Sequence, residues 1–384
     1  SSCPWQSPLV LSILQLSLKA HRRWKNPILI FSKISKHWGA LCMSSIWGNT
    51  IKISIFGESH GAAIGVVLDG LPAGIPIDME DLLSFMDRRR PGKALFATSR
   101  KESDTPHILS GYYHGQTTGT PLAIVIQNAD THSTDYKEME HIARPAHADF
   151  TGHLRYRGAQ DPRGGGHFSG RLTAPLVAAG GIARQILRPN GIDIGAHIAS
   201  VGEQHDLLFD PVRLHAEALF SPGKKVFPVL DDIAGEKMQK LIESCRMAQD
   251  SVGGVVECGV IGFPAGIGSP IFDGLENRIA SLIFGIPAVK GLEFGAGFDA
   301  AKHFGSQMND PFCIENGKIR TTTNHHGGIL GGISSGMPMI LRVAFKPTPS
   351  ISQPQSTVDF KTMEPTQLTI SGRHDPCVVP RAVP

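Results

Sequence analysis

The chain has 384 residues, 41% hydrophobic and 18% charged, with 43 Gly and 27 Pro, which is enough to bury a substantial core and excludes a disordered or fibrous protein. Lys and Arg number 37 against 34 Asp and Glu, a net charge of +3 that taken alone suggests a polyanion partner. Six scattered Cys without a C-x-x-C pair, and only 7% aromatic residues, argue against a disulfide scaffold, a cysteine zinc site and an aromatic stacking platform.

Residues 1–42 read as an extension. They carry Lys19, Arg22, Arg23, Lys25, Lys33 and Lys36 and no acidic residue, which leaves 31 basic against 34 acidic residues from Met43 onward. The positive charge therefore sits in the extension and the body is slightly acidic, so nucleic-acid binding loses its support. The apolar run 9–18 is too short to span a bilayer, and its basic cluster follows it, unlike a signal peptide. The extension is either a transit peptide or upstream sequence read through to an internal start at Met43. A cytoplasmic location is expected, plastid only in the first case, with no membrane partner.

From Met43 the pattern becomes regular. Ile51, Ile53 and Ile55 alternate with Lys52, Ser54 and Phe56, which predicts a strand running into Gly57-Glu58-Ser59-His60-Gly61. Residues 78–90 predict a helix with Asp78 as N-cap, ending in Arg88, Arg89 and Arg90 before Pro91-Gly92. Residues 121–127 predict a buried strand, 172–188 a helix after a glycine-rich loop, 252–261 a strand, 275–284 a helix and 339–346 a strand. Val66 to Ile75 echoes Cys258 to Ile267, most closely in Leu71-Pro72-Ala73-Gly74-Ile75 against Phe263-Pro264-Ala265-Gly266-Ile267. The expected fold class is therefore mixed α/β (α+β), a single domain over 43–384 built on an internal duplication.

No G-x-G-x-x-G follows a strand and no G-x-x-x-x-G-K-[ST] occurs, which disfavours dinucleotide and P-loop folds. Three segments are instead suited to anions: Arg88 to Gly92, Asp161 to Arg171, and Lys346 to Ser350. Each joins cations or hydroxyls to backbone freed by Gly or set by Pro. Among 17 His, His60 at a strand end and His147 beside Asp149 are placed to act as acids, and Asp375 beside Arg373 as a base. Each of these, taken singly, is also readable as a solvated or structural residue. Asn324-His325-His326 with His374-Asp375-Pro376-Cys377 could form a zinc site, the basis of a metal-dependent hydrolase as an alternative, but no H-E-x-x-H accompanies them. Ser59 lacks the G-x-S-x-G context of a hydrolase nucleophile.

Together these segments resemble the chorismate synthase family from about Ser45 to Pro384. The resemblance is carried by Phe56 to Gly61, Asp87 to Gly92, Leu109 to Gly111, Thr117 to Pro121, Arg144 to Asp149, Arg163 to Ser169, Ala288 to Gly291, Asn324-His325, Gly327 to Gly336, Lys346 to Ser350 and Gly372 to Pro384. It implies a β-α-β sandwich, a homotetramer, and a lyase that converts 5-enolpyruvylshikimate 3-phosphate into chorismate and phosphate by anti 1,4-elimination. Reduced FMN is implied although the reaction has no net redox change, with NADPH acting only indirectly, through an external flavin reductase.

By the same resemblance, His60 would protonate or stabilise reduced flavin near N1, His147 would donate a proton to the leaving phosphate, and Asp375 would assist removal of a proton from flavin N5. FMN would meet His167, Phe168, Ser169, Ala288, Gly331, Lys346, Pro347, Thr348, Pro349, Ser350 and Arg373. Substrate anions would meet Ser59, Arg88, Arg89, Arg171 and Arg381. The chain departs from the family's commoner R-S-S-A-R-E-T loop, reading His167-Phe168-Ser169-Gly170-Arg171-Leu172-Thr173. It also stops at Pro384, before a helix that members usually carry. An apparently truncated member is expected from this, with an inactive flavin- or anion-binding remnant as the non-enzymatic alternative.

Overall fold

The isoleucine alternation after Met43 produces an edge region of an antiparallel sheet. In the computed structural model, which describes residues 45–90, 103–129, 140–370 and 375–384, the first sheet contains β1 (Ile46–Trp47), β2 (Lys52–Gly57), β3 (Ala63–Asp69), β4 (Pro106–Ser110) and β5 (Leu122–Gln127). Its order is β1-β2-β3-β5-β4, every pair antiparallel. The second sheet contains β6 (Asp193–Val201), β7 (Gln204–His205), β8 (Gly254–Ile261), β9 (Val289–Phe294) and β10 (Met339–Phe345), in the order β9-β10-β8-β6-β7. The longer helices are α1 (Met79–Asp87), α2 (Asp149–Tyr156), α3 (Thr173–Leu187), α4 (Asp232–Met247) and α5 (Leu275–Ile283). The expected extension at 1–42 lies outside the described residues, and Ile46–Pro384 form one compact unit.

Each sheet buries one face against helices. On the first, Ile64, Val66, Leu122, Ile124 and Ile126 pack with Leu82 and Met86 of α1 and Ala174, Ala178 and Ile182 of α3. Gly181 lets the two helices approach, since a β-carbon there would stand 2.6 Å from Leu82 Cδ1. Asp78 caps α1 as the sequence predicts, its side chain accepting from Glu80 N and Asp81 N. The core of the second sheet gathers Ile198, Val256, Leu341 and Val343 with Met238 and Ile242 of α4.

The duplication extends well beyond the ten-residue echo. Leaving out the two-residue edge strands, β2-β3-β5-β4 matches β6-β8-β10-β9 in both spatial and chain order. In the first half, Thr117 Oγ1 donates to Pro72 O at 2.6 Å and accepts from Ile75 N at 3.0 Å. In the second, Ser334 Oγ donates to Pro264 O at 2.6 Å and accepts from Ile267 N at 2.9 Å. Gly119 and Gly336, both at φ +83°, press against Ala73 and Ala265 respectively. The mixed α/β class is thus realised as two copies of one sheet motif.

The copies differ in what crosses the sheet. Phe56, Gly65, Val125 and His107 stand in register across the first, and the equivalent residues of the second are His197, Glu257, Arg342 and Glu293. These form a charged ladder: His197 Nε2 to Glu257 at 3.0 Å, Arg342 to Glu257 at 3.4 Å and Arg342 to Glu293 at 2.6 Å. His197 Nδ1 lies 3.2 Å from Asp206. Burial alone would lower the His197 pKa, but the hydrogen bonds its ring donates to the Asp206 and Glu257 carboxylates overcome it and raise it above its ordinary 6.5. The His197 contribution to stability is therefore complete below pH 6.5 and is lost as pH rises through the raised value. Replacing His197 with Gln should cost about 3 kcal/mol at pH 6, and the gap to the parent in denaturant melts should narrow steadily toward pH 9.

Among the described residues no helix is long and apolar enough to cross a membrane.

Candidate active site

The site begins where β2 ends. Gly57, at φ +95°, releases the chain into the Glu58–Gly61 turn, closed by Gly61 N donating to Glu58 O at 3.1 Å. Asn128 at the end of β5 pins that turn, its Nδ2 donating to Glu58 O at 3.0 Å and Gly61 O at 2.9 Å. Ser59 and His60 are held there at 4% and 6% exposure.

The glycine-rich loop lies along the same strand end. Ser59 N donates to Gly166 O at 3.1 Å, and His167 Nδ1 donates to Gly57 O at 2.9 Å. Gly164, Gly165 and Gly166 adopt φ of +60°, +91° and +53°, so the loop bends as L side chains rarely allow. Within the triple glycine expected to serve an anion, Gly164 abuts the His60 ring and Gly165 the His147 ring. Phe168 packs against Gly152 and stands 6.1 Å from the Tyr156 ring of α2. Ser169 caps the turn Gly170–Leu172 by accepting from Arg171 N. Both thus fasten the loop.

His147 is set by its own segment. Asp149, in the first turn of α2, accepts from Arg144 N, Nε and Nη2 at 3.1, 2.7 and 2.6 Å and from His147 Nδ1 at 2.8 Å. Burial alone would raise the Asp149 pKa, but Arg144 and His147 hydrogen bonds hold it well below the usual carboxylate range. Arg144 Nη2 also stands 3.2 Å from His147 Nδ1, and the other ring nitrogen, Nε2, is turned toward Gly165.

The cationic cluster forms around a residue that sequence reading passed over. Asp104 is 1% exposed and joins Arg89, at 2.6 Å, to Arg171. Arg89 also donates to Thr173 Oγ1 and Gly170 O at 2.9 and 3.0 Å, and Arg171 Nε to Asn128 Oδ1 at 3.0 Å. Arg381 donates to Arg89 O at 3.2 Å and pairs with Asp375 at 2.6 Å. Burial first, and then the Arg381 charge, pushes the Arg89 pKa down to about 9. No local pattern around Ser103-Asp104-Thr105 marks Asp104; only the fold supplies its partners.

The far wall comes from the second sheet. Lys346, just past β10, donates from N to Ala288 O at 2.9 Å and from Nζ to Ala146 O at 2.8 Å. Thr348 Oγ1, like Ser59 Oγ, is buried without a hydrogen-bond partner among the described residues; Ser350 is also buried. Two expected residues stand apart: Arg88 lies over the Phe85 ring at 5.5 Å and against Gly223, and Gly331 turns the hairpin Ile329–Ser334 beside Pro264–Ile267. Arg373 lies outside the described residues, as does His374 of the zinc alternative. Among the described residues no group of three or more His, Cys, Asp or Glu converges as a metal site, and His326 is engaged by Asp310 and by Ser335 Oγ.

Removing the Asp104 carboxylate leaves two buried guanidiniums facing each other. Asp104→Ala should therefore destabilise the fold by about 3–5 kcal/mol, read by urea denaturation at pH 7, with partial recovery in high sulfate as the anion replaces the carboxylate.

Comparison with known proteins agrees with this geometry. Residues 51–384 match the family model described as chorismate synthase. The chain is 47% identical to the chorismate synthase of Thermococcus kodakarensis over 337 residues, covering 88% of this chain and 92% of that one. It is 46% identical to that of Dehalococcoides mccartyi over 341 residues, covering 89% and 93%. A solved structure titled as the crystal structure of chorismate synthase superposes with a TM-score of 0.67 at 29% identity, covering 87% of each chain. With the family model spanning nearly all of the body, the chain belongs to the chorismate synthase family.

Proposed function

We propose that this chain is a lyase that eliminates phosphate from 5-enolpyruvylshikimate 3-phosphate to give chorismate. The observation that carries the reading is the pair of histidines set against adjacent glycines of one loop, His60 buried and His147 half-buried, beside a cluster of three arginines. The substrate bears a phosphate and two carboxylates. Arg89, Arg171 and Arg381 outnumber Asp104 and Asp375, and an anion bound among them offsets the burial and the Arg381 repulsion that together depress Arg89.

Reduced FMN fits the other wall. The buried hydroxyl of Thr348 lacks a partner among the described residues, and with Lys346 and Ser350 it would hold the cofactor, while Ser59 Oγ, likewise without a partner there, stays on the substrate side beside His60. When bound, the flavin supplies transient electron density and takes up the hydrogen that no neighbouring carbonyl activates. The chain's own residues bind the anions, exclude water and hold protons.

The neighbours of the two histidines favour the reverse of the roles implied by the resemblance. Asn128 ties the His60 turn to Arg171, so His60 is the residue on the phosphate side and the proton donor to the leaving group. Lys346 grips the carbonyl next to His147, so His147, held in place by Arg144 and Asp149, holds a proton on the cofactor side. Asp375 remains the proposed proton acceptor. Association between copies, as the tetramer implied by the resemblance requires, is supported by the exposure of Phe298, Phe304, Phe312, Ile314 and Ile319, and NADPH would act through a separate reductase.

Under anaerobic conditions, the protein with reduced FMN and substrate should release phosphate, and a chelator should leave the rate unchanged. His60→Ala and His147→Ala should each lower turnover by about a hundredfold or more. Only His147→Ala should also shift the ionisation of bound reduced flavin, followed by absorbance. If His60→Ala shifts it instead, the two roles are exchanged; if a folded, flavin-binding protein releases no phosphate, the lyase reading fails.

A further inference from the structure

We infer that Gly164 and Gly165 are positioning residues, one for each histidine, and that the bare backbone of their loop is the wall against which both imidazoles are set. The inference rests on the roles given to His60 and His147 above. A β-carbon at Gly164 would stand 2.1 Å from His60 Cε1 and 2.2 Å from Nδ1. At Gly165 it would stand 2.9 Å from His147 Nε2 and 3.0 Å from Cε1. Both separations lie inside van der Waals contact, so any side chain must displace a ring.

The two rings reach this wall from distant parts of the chain, one from the end of β2 and one from the turn before α2. Successive Cα atoms are only about 3.8 Å apart, so neighbouring glycines set both histidines against one short stretch of loop. The wall cannot recoil freely. Gly165 N donates to Pro162 O at 3.3 Å, Gly166 O accepts from Ser59 N at 3.1 Å, and a β-carbon at Gly166 would meet Asp161 O at 2.2 Å. Displacement therefore falls on the imidazoles, and selectively: Gly164 governs His60 and Gly165 governs His147.

Double-mutant cycles on the full chain test this. Gly164→Ala should lower the melting temperature, and that loss should shrink in a His60→Ala background, where the ring is gone, but persist with His147→Ala. For Gly165→Ala the two backgrounds should exchange. Gly191→Ala is the control, being left-handed at φ +73° with nothing within 4 Å of the added carbon; its loss should be the same in every background. In the folded single variants, turnover should fall about a hundredfold with KM little changed, and the ring-proton NMR titration of the matching histidine alone should move. Equal losses of Gly164→Ala in both histidine backgrounds, or unmoved titrations in both glycine variants, would overturn the inference. If His60→Ala and His147→Ala retain turnover, the acid–base reading falls instead, while the cycles still decide the positioning.

Discussion

The site depends on close approach between the end of β2 and the loop at Gly164–Gly166, an approach that only backbone without side chains permits. Ser59 N reaches Gly166 O, and the His167 ring reaches Gly57 O, so the strand end and the loop act as one body. The rest of the site is attached to that body. Phe168 fastens it to α2 and hence to the Arg144–His147–Asp149 group. Ser169 and Arg171 lead it into α3 and the arginine cluster.

Charge is arranged on the same plan. Buried arginines are tolerable only where carboxylates and carbonyls meet their N–H groups. Asp104 serves two of them, and Gly170 O, Gln127 O and Asn128 take further donors. The cluster is compensated enough to fold yet remains short of negative charge, which suits a polyanionic substrate. A formal charge of +3 over the whole chain conveys nothing of this, because the local excess sits among three guanidiniums from residues 89, 171 and 381.

Duplication supplied two equal frames and sequence divergence gave them different work. In the second sheet the face opposite α4 carries His197, Glu257, Arg342 and Glu293, bonded to one another. In the first, the strand ends lead into the Glu58–Gly61 turn and Asn128, both of which line the site. The second copy contributes through Lys346 and the residues after β10, so the active site draws on both halves of one compact unit.

Local pattern alone determined a good part of this. The alternation at 51–56, the Asp78 cap, the strands near 121–127 and 339–346 and the helices near 172–188 and 275–284 all stand where periodicity places them, because side-chain period and capping act over a few residues. The family was legible for a similar reason, as its motifs are short and contiguous. What tertiary structure decided is which of those residues meet. Asp104 finding Arg89 and Arg171, Asn128 joining the His60 turn to Arg171, Lys346 reaching Ala146, and Arg88 turning away from Arg89 are contacts between segments tens to hundreds of residues apart or between opposite faces of one helix end. Those follow from how sheets and helices pack, and the glycines expected to serve an anion are, in the folded chain, also the surface that holds two histidines.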